Sequence, residues 1–138
     1  MKTIWLLFIL VTVAAQNKAQ SYSVADLKDF TKSSTEHIIH QIEQPFEVKS
    51  VKGAVEFKHG QVEALRGVLF EIEGPGTKRR IRRAYTREDG RFEIRHVPPG
   101  AYKFKATLNG FQSVVGTIVV LRKPHSANEI KIEMLIGV

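Results

Sequence analysis

The sequence predicts an all-β protein in which seven short antiparallel strands form a sandwich or a barrel, preceded by a short N-terminal segment with helical spacing. Three observations support this prediction. From residue 46 onward apolar and polar side chains alternate with a period of two, turn signals recur about every ten residues, and no helical pattern intervenes. At 138 residues the chain has room for one domain with a real core.

The first 15 residues have the organisation of a secretory signal peptide. Lys2 precedes an apolar run at 4–13, and Val13-Ala14-Ala15 offers small side chains for cleavage after Ala15. A run of this length spans about 15 Å as a helix, roughly half the hydrocarbon core of a bilayer. We therefore predict an exported protein, secreted or periplasmic, without a permanent membrane anchor after cleavage.

Composition narrows the classes of partner. The chain contains no cysteine, so an exported form has neither a disulfide nor a cysteine that could carry a lipid. Its 21 Lys and Arg residues exceed its 14 Asp and Glu residues and give a formal net charge of +7. This excess favours an anionic partner such as an acidic glycan, while nucleic acid is not expected outside the cytoplasm.

Residues 16–45 form an N-terminal extension with a different pattern. Two short helical turns are predicted, one starting near Ser23 and one over 38–42, where isoleucines recur at three-to-four spacing. The β-branched residues of the second stretch leave a strand as the alternative. Pro45 ends the extension in either case.

The domain proper, residues 46–138, is predicted to contain seven strands. They are 47–57, 67–73, 79–86, 91–97, 101–108, 112–121 and 129–136. Between them, Asp89-Gly90 and Asn109-Gly110 tolerate the positive φ that tight hairpins require. Pro98-Pro99-Gly100 stiffens one strand exit and then reverses the chain.

Alternation within the strands assigns one face to the core and the other to solvent. The predicted core consists of Val68, Phe70, Ile72, Phe92, Ile94, Tyr102, Phe104, Ala106, Leu108, Ile130, Ile132, Met134 and Ile136. The predicted solvated face includes Lys103, Lys105, Lys131 and Glu133. Residues 114–121 are apolar on both faces, so we expect the extension 16–45 to cover this strand.

Four motifs in the domain match a known family. Gly53-Ala54-Val55 matches an early Gly-x-Val strand, and a Thr-x-x-x-Gly-x-Phe hairpin is matched by Thr86, Gly90 and Phe92. A Pro-Gly-x-Tyr motif is matched by Pro99, Gly100 and Tyr102, and a later Gly-Phe pair by Gly110-Phe111. On these motifs, residues 50–136 resemble the carboxypeptidase regulatory-like domain of bacteria, which is similar to the transthyretin-like accessory domain of metallocarboxypeptidases.

The resemblance implies a seven-stranded prealbumin-like Greek-key sandwich. It also implies a module without catalytic residues or cofactors that serves in accessory, interaction or glycan-binding roles. The matched residues are structural in this family, since Gly90 and Gly100 set turns while Phe92 and Tyr102 fill the core. The extension 16–45 lies outside the family's pattern.

The strongest candidate binding site is a run of cations at 78–83. Lys78, Arg79, Arg80, Arg82 and Arg83 place five positive charges in six residues, enough to bind phosphate or carboxylate groups of a polymer. The alternative is that these cations protect an edge strand against aggregation. The loops 96–100 and 110–111, expected at one end of the sandwich, complete the predicted contact surface.

Two weaker alternatives remain. His37 and His40 would share one face of a helix and could hold a metal, although the His-Glu-x-x-His pattern of zinc hydrolases is absent. The second alternative is an internal Lys–Asn bond promoted by a buried Glu, as in the similar B-type pilin repeats of collagen adhesins. Its candidate lysines are Lys52 and Lys58, its asparagine is Asn128, and its candidate glutamates are Glu71 and Glu93. No catalytic residue is predicted, because neither a cysteine nor a Gly-x-Ser-x-Gly motif occurs.

These observations favour a non-catalytic, exported β-sandwich that recognises an envelope glycan or protein. The alternatives are a metal-dependent hydrolytic or metal-handling protein that uses His37 and His40, and a purely structural module of the envelope.

Overall fold

The structure is a computed structural model that describes residues 27–34, 38–75, 80–124 and 129–137. These residues form two β-sheets that pack face to face, and no α-helix occurs in the ranges described. None of the described residues belongs to a helix long and apolar enough to cross a membrane. The strands are β1 Ile39–Gln41, β2 Phe46–Val48, β3 Val51–His59, β4 Gln61–Ala64, β5 Leu69–Glu73, β6 Ile81–Tyr85, β7 Arg91–Ile94, β8 Gly100–Thr107, β9 Ser113–Val120 and β10 Ile130–Met134.

The first sheet has the strand order β1-β9-β8-β5-β6, and β2 pairs with β9 beside β1. The second sheet has the order β10-β3-β4, and β7 also pairs with β3. The predicted all-β sandwich is confirmed, with ten strands rather than seven. The expectation of purely antiparallel pairing is wrong, because β1 and β2 pair with β9, and β10 with β3, in parallel.

The predicted strand 47–57 is divided between the two sheets. Its first residues form β2 in the first sheet, and Lys49-Ser50 then carries the chain across to β3 in the second. β2 and β3, which are adjacent in sequence, therefore lie in different layers. Each then pairs with a strand from a distant part of the chain, which is how the parallel pairs arise.

Two further strands differ from the prediction. The helical turn expected at 38–42 is wrong, and the alternative strand is present as β1, which pairs with residues 113–115 and is continued by a hydrogen bond from Ile42 N to Val115 O at 2.8 Å. Pairing with the backbone N–H and C=O groups of β9 stabilises a strand here, and this is stronger than the helical preference suggested by the spacing of three isoleucines. Strand β4 was not predicted, because its polar-apolar alternation extends over only four residues, all of which are exposed. The helical turn expected to start near Ser23 begins outside the described residues, and at its described end Phe30 N donates to Leu27 O at 3.1 Å in a single turn.

The predicted core is confirmed except at its margins. All of the predicted side chains are buried apart from Leu108, which is half-buried, and Ile136, which is 52% exposed. Phe70 stacks between Phe92 and Phe104, at centroid distances of 4.1 and 5.4 Å. The two sheets are therefore joined by an aromatic stack that the alternation correctly placed on one face.

The outer face of the first sheet is covered by residues 27–34, which we call the N-terminal strap. Leu27 and Phe30 of the strap are buried against Val115. This confirms the expected cover over β9. It also corrects the prediction that Lys105 is solvated, since the Lys105 side chain is 1% exposed beneath the covered face.

Candidate functional site

Four loops converge at one end of the sandwich. Gly100, at the start of β8, pairs with Val120 at the end of β9, and Val48 at the end of β2 also pairs with Val120. The chain therefore leaves or enters the sheets here at 49–50, 74–80, 95–99 and 121–129. The described parts of these loops carry five exposed cations, Lys49, Arg80, Arg95, Arg122 and Lys123. We call this end of the molecule the basic end.

The two loops predicted to share an end of the sandwich do not share one. Residues 96–100 lie at the basic end, whereas residues 110–111 lie at the opposite end, because strand β8 runs between them. At that opposite end, Phe111 packs edge to face on Phe57 with ring centroids 5.4 Å apart, and it bridges to Ile136. Phe111 is thus a packing residue remote from the cations.

The predicted cationic run is divided by the geometry of a strand. Arg80 precedes β6, while Arg82 and Arg83 lie on opposite faces of it. Strand β6 is the edge of the first sheet, where the sequence had placed this run. Lys78 and Arg79 lie outside the described residues. The three described arginines therefore have three different environments rather than one shared surface.

Arg82 fastens the edge of the sandwich at the basic end. Its guanidinium donates one hydrogen bond to the carbonyl oxygen of His96 at 3.0 Å and a second to the carbonyl oxygen of Arg95. His96 has a φ of 58°, which is left-handed and uncommon for a residue with a side chain. The two bonds from Arg82 hold this turn in place, so Arg82 shapes the loop that displays the Arg95 side chain.

Two shallow clefts open on either side of this turn. One, of about 380 Å³, includes Lys49, Glu93, Arg95 and His96 in its lining. The other, of about 330 Å³, is lined by Ile72, Gly74, Pro75, Arg80, Arg82, Pro98, Pro99 and Tyr102. Each cleft thus combines cationic N–H donors with apolar surface, the combination that suits an anion carried on a flat, weakly polar ring.

Tyr102 forms the floor of the proline-lined cleft. Its hydroxyl donates a 2.6 Å hydrogen bond to the carbonyl oxygen of Pro98. Burial raises the pKa of the Tyr102 hydroxyl above its ordinary value of 10.0, and the nearby positive charge of Arg82 lowers it in part. The hydroxyl is thus neutral at physiological pH and acts as a hydrogen-bond donor that fixes the loop.

A second polar group lies under the strap and is formed around Glu71, which the sequence indicated only as a candidate for promoting an internal bond. The Glu71 carboxylate is 0% exposed and accepts hydrogen bonds from Thr31 N at 2.9 Å and from Thr31 Oγ1 at 3.2 Å. Arg83 donates to the same carboxylate at 3.3 Å. At the far end of the strap, Ser33 Oγ donates to Asn109 Oδ1 at 2.9 Å. These contacts tie the extension to the domain, so Arg83 has a structural partner.

The described structure gives the metal hypothesis no geometric support. His40 is exposed on β1, and His37 lies outside the described residues. Residues three apart on a strand point to opposite faces, so the shared helical face is not formed at His40. Among the residues described, no three His, Cys, Asp or Glu side chains form a group that could hold a metal ion.

Of the parts proposed for an internal Lys–Asn bond, Lys52 and Glu93 lie opposite each other on β3 and β7, but neither is buried as the bond requires. Glu71 is buried and faces the strap, whereas Lys52, Lys58 and Glu93 are exposed. Lys58 lies 3.8 Å from Glu133 in an ion pair. Asn128 lies outside the described residues, so the bond itself remains a prediction.

Comparison with known proteins supports the family resemblance. A model of the carboxypeptidase regulatory-like domain matches residues 50–134. The matched range begins just before β3 and ends with β10, so it covers β3 to β10 of the two sheets and leaves out the strap, β1 and β2. A search of curated proteins found no match to the chain.

Proposed function

We propose that this chain, which belongs to the carboxypeptidase regulatory-like domain family, is a non-catalytic accessory module that is exported and binds an anionic glycan of the cell envelope at its basic end. The observation that carries the proposal is the meeting of cations from four separate loops. The four loops are separate in sequence, and the fold brings their cations to one end: Lys49, Arg80, Arg95 and the adjacent pair Arg122 and Lys123.

The chemistry of the clefts favours a sugar acid over a simple ion. Proline rings and the Tyr102 side chain provide apolar surface beside Arg80. A pyranose ring can rest its C–H face on such surface while its carboxylate or sulfate group accepts hydrogen bonds from a guanidinium. Glu93 occupies the other cleft and lies 3.7 Å from Arg95, so that cleft is less positive. The proline-lined cleft is therefore the preferred site.

Binding of defined polysaccharides tests this proposal. Polygalacturonate and dextran sulfate are the probes and neutral dextran is the control, each measured at low and high salt. We expect both anionic polymers to bind and neutral dextran not to bind. Added salt should weaken the binding, because exposed charges are screened within about 10 Å at 0.1 M ionic strength. Equal binding of all three polymers, or of none, would contradict the proposal.

A matched pair of triple variants tests whether the polymer binds at the basic end. Lys49→Gln, Arg122→Gln and Lys123→Gln together remove three charges from the basic end. Lys52→Gln, Lys58→Gln and Lys131→Gln remove the same number from the second sheet, where all three side chains are exposed. We expect the first variant to lose about tenfold or more in affinity and the second to change little. Equal losses would indicate a response to net charge alone.

Export rests on the signal-peptide pattern of the first 15 residues. If the proposal is correct, protein recovered from the periplasm or medium of the producing cell begins at Gln16. Retention of an intact N-terminus inside the cell would contradict export and leave the anion-binding test unaffected.

A further inference from the structure

The edge of the first sheet formed by β6 has a hydrogen-bonded neighbour on one side only among the described strands. β5 pairs with β6, and the sheet ends there. Unpaired edge strands present N–H and C=O groups to which another chain can add as a strand. The row of backbone groups along β6 is therefore a potential interaction surface distinct from the basic end.

The register between β5 and β6 identifies which residues offer these groups. Thr86 N donates to Val68 O at 3.0 Å, so 68 and 86 form a hydrogen-bonded pair of the antiparallel ladder. Such pairs alternate along an antiparallel ladder. The even-numbered residues of β6 therefore direct their N–H and C=O groups toward β5, and the odd-numbered residues direct theirs away from the sheet.

The side chains of the odd-numbered residues form a row with distinct chemistry. Ile81, Arg83 and Tyr85 follow one another on the outer face as an apolar, a cationic and an aromatic residue. Tyr85 is 63% exposed, and the Arg83 side chain is 54% exposed. Arg83 uses one nitrogen on Glu71, which leaves its other guanidinium N–H donors for a second carboxylate.

Charge decides what can occupy this edge. In a symmetric antiparallel pairing of two copies of β6, Arg83 of one copy would face Arg83 of the other, and like charges directly opposite each other destabilise a sheet. Arg80 before the strand and Arg87 after it add further positive charge. A second copy of this chain is thus disfavoured, and an acidic strand is favoured.

We propose that β6 receives an extended acidic segment of a partner protein as an additional antiparallel strand. The segment has the pattern apolar-x-acidic-x-apolar, in which the acidic side chain lies opposite Arg83 and the two apolar side chains lie opposite Ile81 and Tyr85. This inference goes beyond the proposed glycan binding, because it uses a different surface and a protein partner. Backbone hydrogen bonds supply the affinity, and the row of three side chains supplies the selectivity.

Binding of a fluorescently labelled peptide tests the inference. The probe is the capped peptide Ser-Asp-Val-Thr-Glu-Thr-Val-Asp-Ser, and its binding to the purified exported protein is followed by fluorescence anisotropy. Replacing the central Glu by Lys should abolish binding. N-methylation of the Glu nitrogen removes a hydrogen bond directed at β6, and we expect it to weaken binding about tenfold or more.

N-methylation of either Thr nitrogen provides a matched control. In the proposed register these N–H groups point away from β6, so binding should be nearly unchanged. Equal effects of methylation at Glu and at Thr would show simple charge attraction without strand addition and would overturn the inference. Failure of the unmethylated peptide to bind at millimolar concentration would also overturn it.

A protein variant completes the test. Tyr85→Pro removes an outward N–H from the edge without disturbing a hydrogen bond to β5, a position at which sheets tolerate proline. Tyr85→Thr is the control, since it keeps the N–H group and favours a strand. We expect the proline variant to lose peptide binding about tenfold relative to Tyr85→Thr, while both retain binding to polygalacturonate.

The peptide and glycan results can fail separately. If the glycan tests fail and Tyr85→Pro still weakens peptide binding about tenfold, strand addition is supported and glycan binding is not. Circular dichroism melting of both Tyr85 variants verifies that they are folded. If Tyr85→Pro does not fold, the N-methylated peptides decide the question on the unmodified protein.

Discussion

Glu71→Gln is expected to destabilise the protein by about 2–3 kcal/mol, because Glu71 is a fully buried carboxylate with several charge-assisted hydrogen bonds. The carboxylate accepts two bonds from Thr31 and one from Arg83. A glutamine of the same shape can still accept from the Thr31 N–H group, but its amide nitrogen then faces Arg83, which is also a donor. The estimate lies below the cost of an isolated buried charge, because Arg83 is more than half exposed and water can solvate it.

The control is the same substitution at an exposed ion pair. Glu133 is 45% exposed and lies 3.8 Å from Lys58, so Glu133→Gln should cost less than about 0.5 kcal/mol. Urea unfolding gives the free energies of unfolding for both variants. Hydrogen exchange of the Thr31 amide should also become faster in Glu71→Gln alone. Equal stability of the two variants, or unchanged exchange at Thr31, would refute the role assigned to Glu71.

Three further predictions concern the loops, the sheet and the strap. Burial raises the folded-state pKa of Tyr102 above 10.0, so the stability that this shift contributes is complete below pH 10.0 and is lost as pH rises through the folded-state pKa. Urea unfolding across this pH window should show a steeper loss of stability in the parent protein than in Tyr102→Phe. Equal slopes would contradict the prediction. Gly53→Ala would place a Cβ 1.9 Å from the carbonyl oxygen of Ile130, so β3 and β10 must separate. We expect the free energy of unfolding to fall by about 4 kcal/mol or more. A melting temperature within about 5 °C of the parent would contradict this. Phe30→Ala should cost about 3 kcal/mol and increase proteolysis within the strap, whereas an unchanged cleavage pattern would mean that Phe30 does not hold it.

Much of the fold could be predicted because local alternation and burial agree in its central strands. In β8, Tyr102, Phe104 and Ala106 alternate with polar residues and all three are buried. Asp89-Gly90 and Asn109-Gly110 lie at turns with positive φ at the glycine, as their chemistry predicts. Where the pattern and the packing favour the same conformation, a short stretch of sequence is sufficient.

The remaining strands depend on partners that are distant in sequence. β1 and β2 are three residues each, and each is stabilised by pairing in parallel with β9, about 70 residues away. β4 has no buried face, because all four of its residues are exposed, and it forms because the turn at Gly60 returns the chain beside β3. Neither a pairing partner about 70 residues away nor a strand whose residues are all exposed can be recognised in a short window of sequence.

Burial of Lys105 shows why alternation alone does not identify a solvated face. Lys105 lies on the polar side of β8, as the pattern predicts, but the strap covers the outer face of that sheet. The same cover buries Glu71, which the register places directly opposite Lys105 on β5. A sheet face is solvated only if no other part of the chain packs on it, and this depends on the tertiary structure and not on the sequence of the strand itself.

The candidate site was found only in part for a related reason. The run of cations at 78–83 is evident in the sequence, whereas Lys49 and the adjacent pair Arg122-Lys123 lie far from this run and from each other, and they come together only in the folded domain. Conversely, the loops 96–100 and 110–111 were grouped although an eight-residue strand separates them. Residues that are close in sequence can therefore lie at opposite ends of the domain, and residues that are distant in sequence can share one surface.

The division of the cationic run also determines how its function must be tested. Replacing Arg82 would free the carbonyl groups of Arg95 and His96, and replacing Arg83 would remove a partner of the buried Glu71. A block substitution of all the arginines would therefore disturb the turn, the strap and the ligand contacts together, and loss of binding would not distinguish among them. Arg80 has no such structural bond among the contacts of the described residues. Arg80→Gln is thus the single change that separates glycan contact from folding, and we expect it to weaken binding of polygalacturonate severalfold with an unchanged melting temperature.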